Sequence, residues 1–139
     1  MSRPIEFDRP QAVNRALVLF WRKGYQATSL TDLLETMGIG RSSFYAAFRN
    51  KRIFFIECID LFSDRTLHLL QDARSQMPPL EALENFFQRN FVGMKGTGEK
   101  KNWGCMMVNT VLEMAAVDDA LSKHASYHLN KLERGFRDL

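Results

Sequence analysis

The side chains with the clearest chemical potential lie within five positions of one another. They combine one guanidinium with three hydroxyl groups, on Arg41, Ser42, Ser43 and Tyr45. Such groups donate hydrogen bonds to phosphate oxygens and to base edges, which is the chemistry by which proteins read DNA. The segment can do this only as a helix with an exposed polar face, so the flanking sequence must supply a scaffold that presents it.

The pattern from position 28 to position 48 predicts that scaffold. Apolar residues recur at helical spacing over Leu30–Met37, and Thr28 or Ser29 can cap this helix. A tight turn over 38–40 supplies two glycines where the chain reverses, and a second short helix follows over 41–48. Two short helices joined in this way form a helix-turn-helix, whose second helix can lie in the major groove of DNA.

Helical periodicity covers the rest of the chain, and no segment alternates strictly as a half-buried strand does. Further helices are predicted at Asp8–Lys23, Lys51–Ser75, Leu80–Val92, Gly104–Ala116 and Asp118–Leu139. The stretch 93–102 contains three glycines and three lysines and is predicted to be a loop. The fold class is therefore all-α, with a helix-turn-helix domain at residues 1–52 and a second helical domain at residues 53–139.

Composition excludes several classes of protein. With 45% hydrophobic and 12% aromatic residues the chain can bury a core, and its two cysteines cannot form a disulfide framework. No signal peptide or membrane-spanning run is visible, so we expect a cytoplasmic protein with reduced thiols. No Ser-His-Asp order, glycine-rich phosphate loop or carboxylate pair stands out, which indicates that the chain is not an enzyme.

Charge is concentrated towards the beginning of the chain. Residues 1–55 hold nine Lys or Arg against four Asp or Glu, a local excess of five positive charges, whereas the whole chain has a net charge of +3. The basic part coincides with the predicted helix-turn-helix, which favours an anionic partner for that part.

The stretch from Asp8 to Phe62 resembles the DNA-binding domain of TetR-type (tetracycline-repressor-like) transcriptional regulators. The matching residues are Phe20, Gly24, Tyr25, Thr28, Leu30, Leu33, Gly38, Ile39, Phe44, Tyr45, Phe48, Lys51 and Phe54. The resemblance implies a homodimeric, sequence-specific repressor that binds a palindromic double-stranded DNA operator and is released by a small-molecule inducer. It implies no cofactor and no membrane partner.

The resemblance also assigns six side chains to the DNA: Thr28, Arg41, Ser42, Ser43, Tyr45 and Lys51. Arg41 and the two serines after it would face base edges, and Arg41 can donate a bidentate pair to guanine. Tyr45 and Thr28 would donate hydrogen bonds to phosphates. Lys51 would bring a positive charge and a helix N-terminus to another phosphate.

In this family the C-terminal helices bind the small molecule and form the dimer. The side chains that could line the pocket are Phe62, Phe87, Phe91, Trp103, Cys105, Met107 and Val111. The same residues could instead form the plain core of a helical bundle. Family members usually continue for two more helices, so the C-terminal domain is expected to be truncated at Leu139. The alternative function is therefore a helical interaction protein that no longer binds DNA specifically.

Two further features of the C-terminal half could carry chemistry. Cys105 lies near a predicted helix N-terminus and close to Lys100 and Lys101, which predicts a lowered thiol pKa. Its segment resembles that of family members with a Gly-Cys pair, some of which sense electrophiles or oxidants; the alternative is an inert buried thiol. His124 and His128 have the i, i+4 spacing of metal ligands, but the sequence offers no third clear ligand, and no metal site is predicted.

Overall fold

The computed structural model describes residues 7–91 and 103–139, with seven helices and no strand in these ranges, which confirms the all-α class. The helices are α1 (Arg9–Lys23), α2 (Leu30–Met37), α3 (Arg41–Phe48), α4 (Lys51–Gln76), α5 (Pro79–Phe91), α6 (Met106–Met114) and α7 (Asp119–Arg137). The predicted helix ends agree with these to within two residues, while Val92 and the loop at 93–102 lie outside the described residues. Within the described ranges, none of the helices has the length and apolar character needed to cross a bilayer.

Packing divides the chain into two compact units, and the division falls inside a helix. The N-terminal unit ends at Ile59 and the C-terminal unit begins at Asp60. Helix α4 is continuous across this point, so its first nine residues belong to the unit that contains the helix-turn-helix. The boundary drawn from the sequence, between residues 52 and 53, marks the start of α4, whereas the packing division comes later because the first turns of α4 pack with α1 and α3.

An aromatic cluster holds the N-terminal unit together, and Phe54 stands at its centre. The ring centroid of Phe54 lies 4.3 Å from that of Phe48, 5.4 Å from that of Phe44 and 6.1 Å from that of Phe20. Phe55 makes an edge contact with Phe20 at 4.8 Å. All five rings are buried. The cluster joins α1, α3 and α4, so it fixes the second helix of the helix-turn-helix to the rest of the unit.

The reversal between α2 and α3 depends on Gly38. Its backbone has a φ of +69°, in the left-handed region, and its N–H donates to the carbonyl of Leu34 at the end of α2. A residue with a side chain is strained in this conformation, so glycine is required at this point of the turn. Gly40 then begins α3 as its N-cap, with extended backbone and no side-chain hydrogen bond.

Helix α2 is closed at its N-terminus by a reciprocal pair of hydrogen bonds. The Ser29 hydroxyl accepts from the N–H of Asp32 at 3.0 Å, and the Asp32 carboxylate accepts from the N–H of Ser29 at 3.1 Å. Of the two residues that could cap α2, the cap is therefore Ser29. The backbone hydrogen bond from Ser29, followed by the Lys23 ammonium at 3.0 Å, lowers the pKa of Asp32 from 3.8 to about 2.

This capping box predicts a specific acid sensitivity. The pKa of Asp32 is lower in the folded chain than in the unfolded chain, so the stability it contributes is present above about pH 4 and is lost as the pH falls towards 2. Asp32→Ala should therefore flatten the loss of stability across this window, as measured by urea denaturation at a series of pH values. Ser29→Ala should lower the free energy of unfolding at neutral pH by about 0.5–2 kcal/mol.

Asp64→Ala is the control for this acid sensitivity, because Asp64 is exposed on α4 and lies outside the capping box. It should keep the wild-type pH dependence. An Asp32→Ala protein that lost stability between about pH 4 and pH 2 as steeply as the wild type would contradict the role given to the capping box.

The C-terminal unit is built around α6 and α7. Its buried apolar side chains on these two helices are Met106, Met107, Met114, Leu121 and Ala125. The Ser122 hydroxyl donates to the carbonyl of Val111 at 3.4 Å and ties the two helices together. Gly135 lies against α4, where a Cβ atom would meet Leu70 Cδ2 at 2.9 Å, so a residue without a side chain permits this close approach of α7.

Candidate nucleic-acid interface

The outer face of α3 carries the polar side chains that could reach DNA. Arg41, Ser42 and Tyr45 are exposed, at positions i, i+1 and i+4 of this eight-residue helix. On the opposite face Phe44 and Phe48 are buried in the aromatic cluster. Three of the six predicted DNA contacts therefore share one exposed surface, which stays outside because the apolar side of α3 is anchored.

The expectations for Ser43 and Thr28 need correction. Ser43 is only 8% exposed and its hydroxyl has no hydrogen-bond partner, so it lies on the buried side of α3 and not towards base edges. Thr28 is fully buried; its hydroxyl donates to the carbonyl of Gly24 at 2.6 Å and its N–H donates to the carbonyl of Tyr25 at 3.3 Å. A phosphate needs a donor, and both donors of Thr28 are engaged within the unit. Thr28 therefore fixes the loop between α1 and α2.

Arg49 is a further exposed basic residue at the end of α3, and the sequence reasoning missed it. Its N–H donates to the carbonyl of Tyr45 where α3 ends. Arg49 is the central residue of a γ-turn with positive φ. Its φ is +72° and its ψ is −65°, and the N–H of Asn50 donates to the carbonyl of Phe48 at 2.9 Å. The signal that could have found Arg49 is a basic residue placed directly after the predicted end of the second short helix at residue 48.

Lys51 is the first residue of α4, at a helix N-terminus that is well formed. The side-chain oxygen of Asn50 caps this helix by accepting from the N–H of Ile53 at 2.8 Å. The Lys51 ammonium lies over the ring of Tyr25, 4.2 Å from its centroid, which restricts the long side chain by a cation–π contact. An ammonium beside a helix N-terminus attracts anions, and this is the arrangement predicted for the Lys51 phosphate contact.

The residues predicted to line a ligand pocket have different environments in the C-terminal unit. Met107 is fully buried and Phe62 is 7% exposed, as in the core of a bundle. Phe87 is 45% exposed and stacks on Phe136 with ring centroids 6.0 Å apart. The others are Trp103, Cys105 and Val111, which are partly exposed, and Phe91, whose side chain lies outside the described structure.

A groove of about 350 Å³ lies elsewhere in this unit, between α4 and α7. It is lined by Leu67, Leu70, Gln71, Arg74, Tyr127, Lys131, Arg134, Gly135 and Asp138. Its volume is within the range of small-molecule sites, about 300–1,000 Å³, and its rim carries an excess of positive charge. None of the six predicted pocket residues whose side chains the structure describes lines this groove, because the lining comes from the helix faces that meet at Gly135.

The expected direction of the Cys105 pKa is wrong. Burial raises the pKa of the Cys105 thiol, and the hydrogen bonds from the N–H groups of Val108 and Met107 lower it only in part. Cys105 is the N-cap of α6, so the predicted helix N-terminus is present, but loss of water around the thiolate outweighs it. Burial also raises the pKa of Cys58. Lys100 and Lys101 lie outside the described residues.

The amino-acid sequence is similar to those of bacterial regulatory proteins. Residues 13–58 match the family model described as bacterial regulatory proteins, tetR family. The chain is 36% identical over 110 residues to the HTH-type transcriptional repressor ComR of Escherichia coli (strain K12), which covers 78% of this chain and 51% of ComR. It is 27% identical to the uncharacterized HTH-type transcriptional regulator YezE of Bacillus subtilis (strain 168), over 98% of this chain and 70% of YezE. The chain thus spans about half the length of ComR.

Solved structures agree with these sequence matches. The crystal structure of regulatory protein TetR from Rhodobacter sphaeroides is 26% identical and matches with a TM-score of 0.77, over 91% of this chain and 67% of that one. A cysteine mutant of the TetR family transcriptional regulator CifR is 30% identical and matches with a TM-score of 0.68, over 99% of this chain and 76% of that one. The CifR mutant was solved in complex with a 26 bp double-strand operator DNA.

Proposed function

Because this chain belongs to the TetR family of bacterial regulatory proteins, we propose that it is a transcriptional repressor that binds a double-stranded DNA operator through α3. The observation that carries the proposal is the anchoring of α3. Its polar face, with Arg41, Ser42 and Tyr45, is exposed while its apolar face is packed in the aromatic cluster. A helix held in this way can enter the major groove without refolding.

Each exposed side chain takes a distinct role in the proposed interface. Arg41 presents a planar fork of donors that matches the two acceptors of guanine, and Ser42 faces the neighbouring base edge. Tyr45 donates its hydroxyl to a phosphate, and Arg49 adds a cation at the end of the helix. Lys51 and the N-terminus of α4 hold a further phosphate. Base contacts then supply sequence preference, whereas phosphate contacts fix the register on the duplex.

The repressor is proposed to act as a homodimer on a palindromic operator, and a small-molecule inducer bound to the C-terminal unit is proposed to release it. One copy of α3 reads one half-site, whereas a two-fold pair reads two half-sites about 34–36 Å apart. The name of ComR as a repressor and the operator complex of CifR support this proposal. The groove between α4 and α7 offers room for an inducer, which needs only to prefer the DNA-free arrangement.

The deciding experiment is a titration of labelled DNA from the region upstream of the protein's own gene, with random competitor DNA and at several salt concentrations. Specific binding that protects two half-sites supports a dimeric repressor. Weak binding that is equal on random DNA and lost with salt would contradict it, and would favour a helical interaction protein that no longer reads sequence.

The phosphate contacts predict a loss of affinity that does not depend on sequence. Lys51→Ala should weaken binding to specific and random DNA by similar factors and should reduce the slope of log K against log salt by about 0.9, because one fewer counterion is released. Tyr45→Phe should also weaken both kinds of DNA but leave the salt slope nearly unchanged, since it removes a hydroxyl and no charge. Fluorescence anisotropy across a salt series measures both effects.

Lys123→Ala provides the matched control for the salt slope. Lys123 is exposed on α7, where it pairs with Asp119 at 2.9 Å, and it belongs to the other unit. This variant should keep the wild-type slope. A wild-type affinity and slope in Lys51→Ala would remove Lys51 from the interface.

A further inference from the structure

Three side chains with metal-binding atoms meet between α4 and α7 in the C-terminal unit. Asp60 Oδ1 lies 2.6 Å from His124 Nε2 and 2.7 Å from His128 Nε2. The histidines are one turn apart on α7, and their rings contact each other edge to face with centroids 5.0 Å apart. The sequence alone indicated only the two histidines. The fold brings the carboxylate of Asp60 beside them, although Asp60 precedes His124 by 64 positions.

The three donor atoms are close enough to share one ion. They lie within 4.8 Å of one another. Ligand atoms about 2.0–2.2 Å from a tetrahedral ion are about 3.3–3.6 Å apart, so the two contacts of Asp60 Oδ1, at 2.6 and 2.7 Å, must each lengthen by about 1 Å to admit the ion. Every donor is carried by a regular helix, which holds the three backbone positions fixed.

His128 is the most buried of the three side chains. Its side chain is 7% exposed, and its Nδ1 atom is buried without a hydrogen-bond partner. Within the described residues, the hydrogen bonding of this ring is confined to the nitrogen that faces Asp60 and His124.

The three side chains of the cluster differ in their exposure to solvent. His128 forms a buried inner wall, whereas the side chains of His124 and Asp60 are 33% and 46% exposed. The cluster is therefore open to solvent on one side. An ion can enter from that side and keep water in its remaining coordination positions.

From this arrangement we propose that Asp60, His124 and His128 bind a divalent first-row transition-metal ion. Two imidazole nitrogens and one carboxylate oxygen suit Zn²⁺, Co²⁺ or Ni²⁺, whereas Mg²⁺ and Ca²⁺ favour oxygen ligands alone. The metal takes the Nε2 lone pair of each ring, so a proton on Nε2 of a neutral ring moves to Nδ1 through water, and an imidazolium ring also releases one proton to solvent. Binding therefore competes with protons and weakens as the pH falls.

From the position of Asp60 we expect the ion to affect DNA binding, a consequence that rests on the proposed repressor function. Asp60 is the first residue of the C-terminal unit, and it stands on α4, whose opening turns belong to the N-terminal unit. An ion that draws Asp60 towards α7 acts on the same helix that begins with Lys51. If the bound state of the metal site favours one position of α4, operator affinity depends on metal concentration by linkage.

The site is tested by titrating the metal-free protein with Co²⁺ and following its visible d–d absorption, and then by displacing Co²⁺ with Zn²⁺. We expect saturation at one Co²⁺ per chain, loss of the absorption on addition of Zn²⁺, and weaker binding at lower pH. A wild-type protein that gives no Co²⁺ absorption and no saturable Zn²⁺ binding would overturn the site.

Two variants test the ligands. Asp60→Asn keeps the shape of the side chain and removes its charge, and His124→Ala removes a partly exposed ligand. Each should weaken metal binding by at least about 10–100-fold, the loss that follows removal of an outer-shell partner. His68→Ala is the matched control, because His68 is an exposed histidine of α4 that lies 3.7 Å from Asp72 in a two-residue pair.

The variants are compared after circular dichroism has verified that each is folded. Wild-type affinity in both Asp60→Asn and His124→Ala would overturn the proposal, as would an equal loss of affinity in His68→Ala. Weakened binding in the two ligand variants, with unchanged binding in the control, supports it.

A DNA titration with and without Zn²⁺ separates the metal site from the proposed function. A Zn²⁺-dependent change in operator affinity in the wild type, absent in Asp60→Asn, supports the coupling through α4. A wild-type affinity that Zn²⁺ does not change overturns that coupling. A protein that binds Co²⁺ but no operator in either condition contradicts the repressor function and supports the metal site.

Discussion

Replacing Phe54 by alanine is expected to lower the free energy of unfolding of the N-terminal unit by about 3–5 kcal/mol. Phe54 is 1% exposed, and its ring contacts those of Phe20, Phe44 and Phe48. Alanine would remove the ring that joins α1, α3 and α4 and leave a cavity that the packed neighbours fill only in part. Because domains of this size are stabilised by only about 5–15 kcal/mol, α3 would lose its support and DNA binding would fall with it. Urea denaturation followed by circular dichroism measures the loss.

Ile53→Ala is the matched control for the aromatic cluster. Ile53 precedes Phe54 on α4 but is 43% exposed, and its N–H can still donate to the Asn50 cap after substitution. Surface replacements of this kind change the free energy of unfolding by only about 0.5 kcal/mol. Equal losses in the two variants would show that burial in the cluster is not what holds the unit together.

Arg41→Ala is expected to weaken binding to the preferred operator by about 1–3 kcal/mol, or roughly 5- to 150-fold, and to flatten the preference at one base pair. Arg41 is exposed at the first position of α3, where its fork can reach a guanine edge. Its loss would remove the two hydrogen bonds proposed to guanine, whereas the proposed phosphate contacts of Tyr45 and Lys51 would persist. Competition between operators that differ at single positions measures the preference.

Arg41→Lys distinguishes charge from geometry in this prediction. Lysine keeps the positive charge but lacks the planar fork, so affinity for random DNA should stay close to the wild-type value while the preference for guanine weakens. If Arg41→Ala ranked all operators as the wild type does, Arg41 would have no part in base readout.

The helices of the N-terminal unit were predictable because their signals are local. Asp8 caps α1 by accepting from the N–H of Gln11, and Gly38 ends α2 with a left-handed backbone. These signals act over three or four residues and need no knowledge of the rest of the chain. The apolar spacing that predicted α3 and α4 is also a local signal. Because these signals are local, the predicted helix ends differ from the observed ones by no more than two residues.

The side of a helix on which a polar residue lies was less predictable. Ser42 and Ser43 are neighbours of the same type, yet one is exposed and the other is buried. A helix of two turns rotates by about 100° per residue, so the packing of Phe44 decides which serine faces outward. Thr28 shows the same limit, because its hydroxyl became an internal donor to Gly24 through the path of the loop.

Features that depend on contacts between distant residues could not be predicted from the sequence. The pKa of Cys105 is raised by burial, which tertiary packing sets, whereas the pattern showed only the helix N-terminus that lowers it. His124 and His128 were visible as a pair, but the partner that makes them a cluster comes from α4. The groove between α4 and α7 likewise depends on the close approach at Gly135.

The γ-turn at Arg49 has opposite consequences for thermal stability and for the binding of a polyanion such as DNA. A glycine would adopt a φ of +72° without strain, whereas a residue with a side chain is destabilised there by about 1–3 kcal/mol. Glycine would also remove a cation from the end of the proposed recognition helix. Arg49→Gly would therefore relieve backbone strain and raise stability, but it would also remove a positive charge from the proposed DNA-binding surface. Position 49 is thus a trade-off between stability and affinity for DNA.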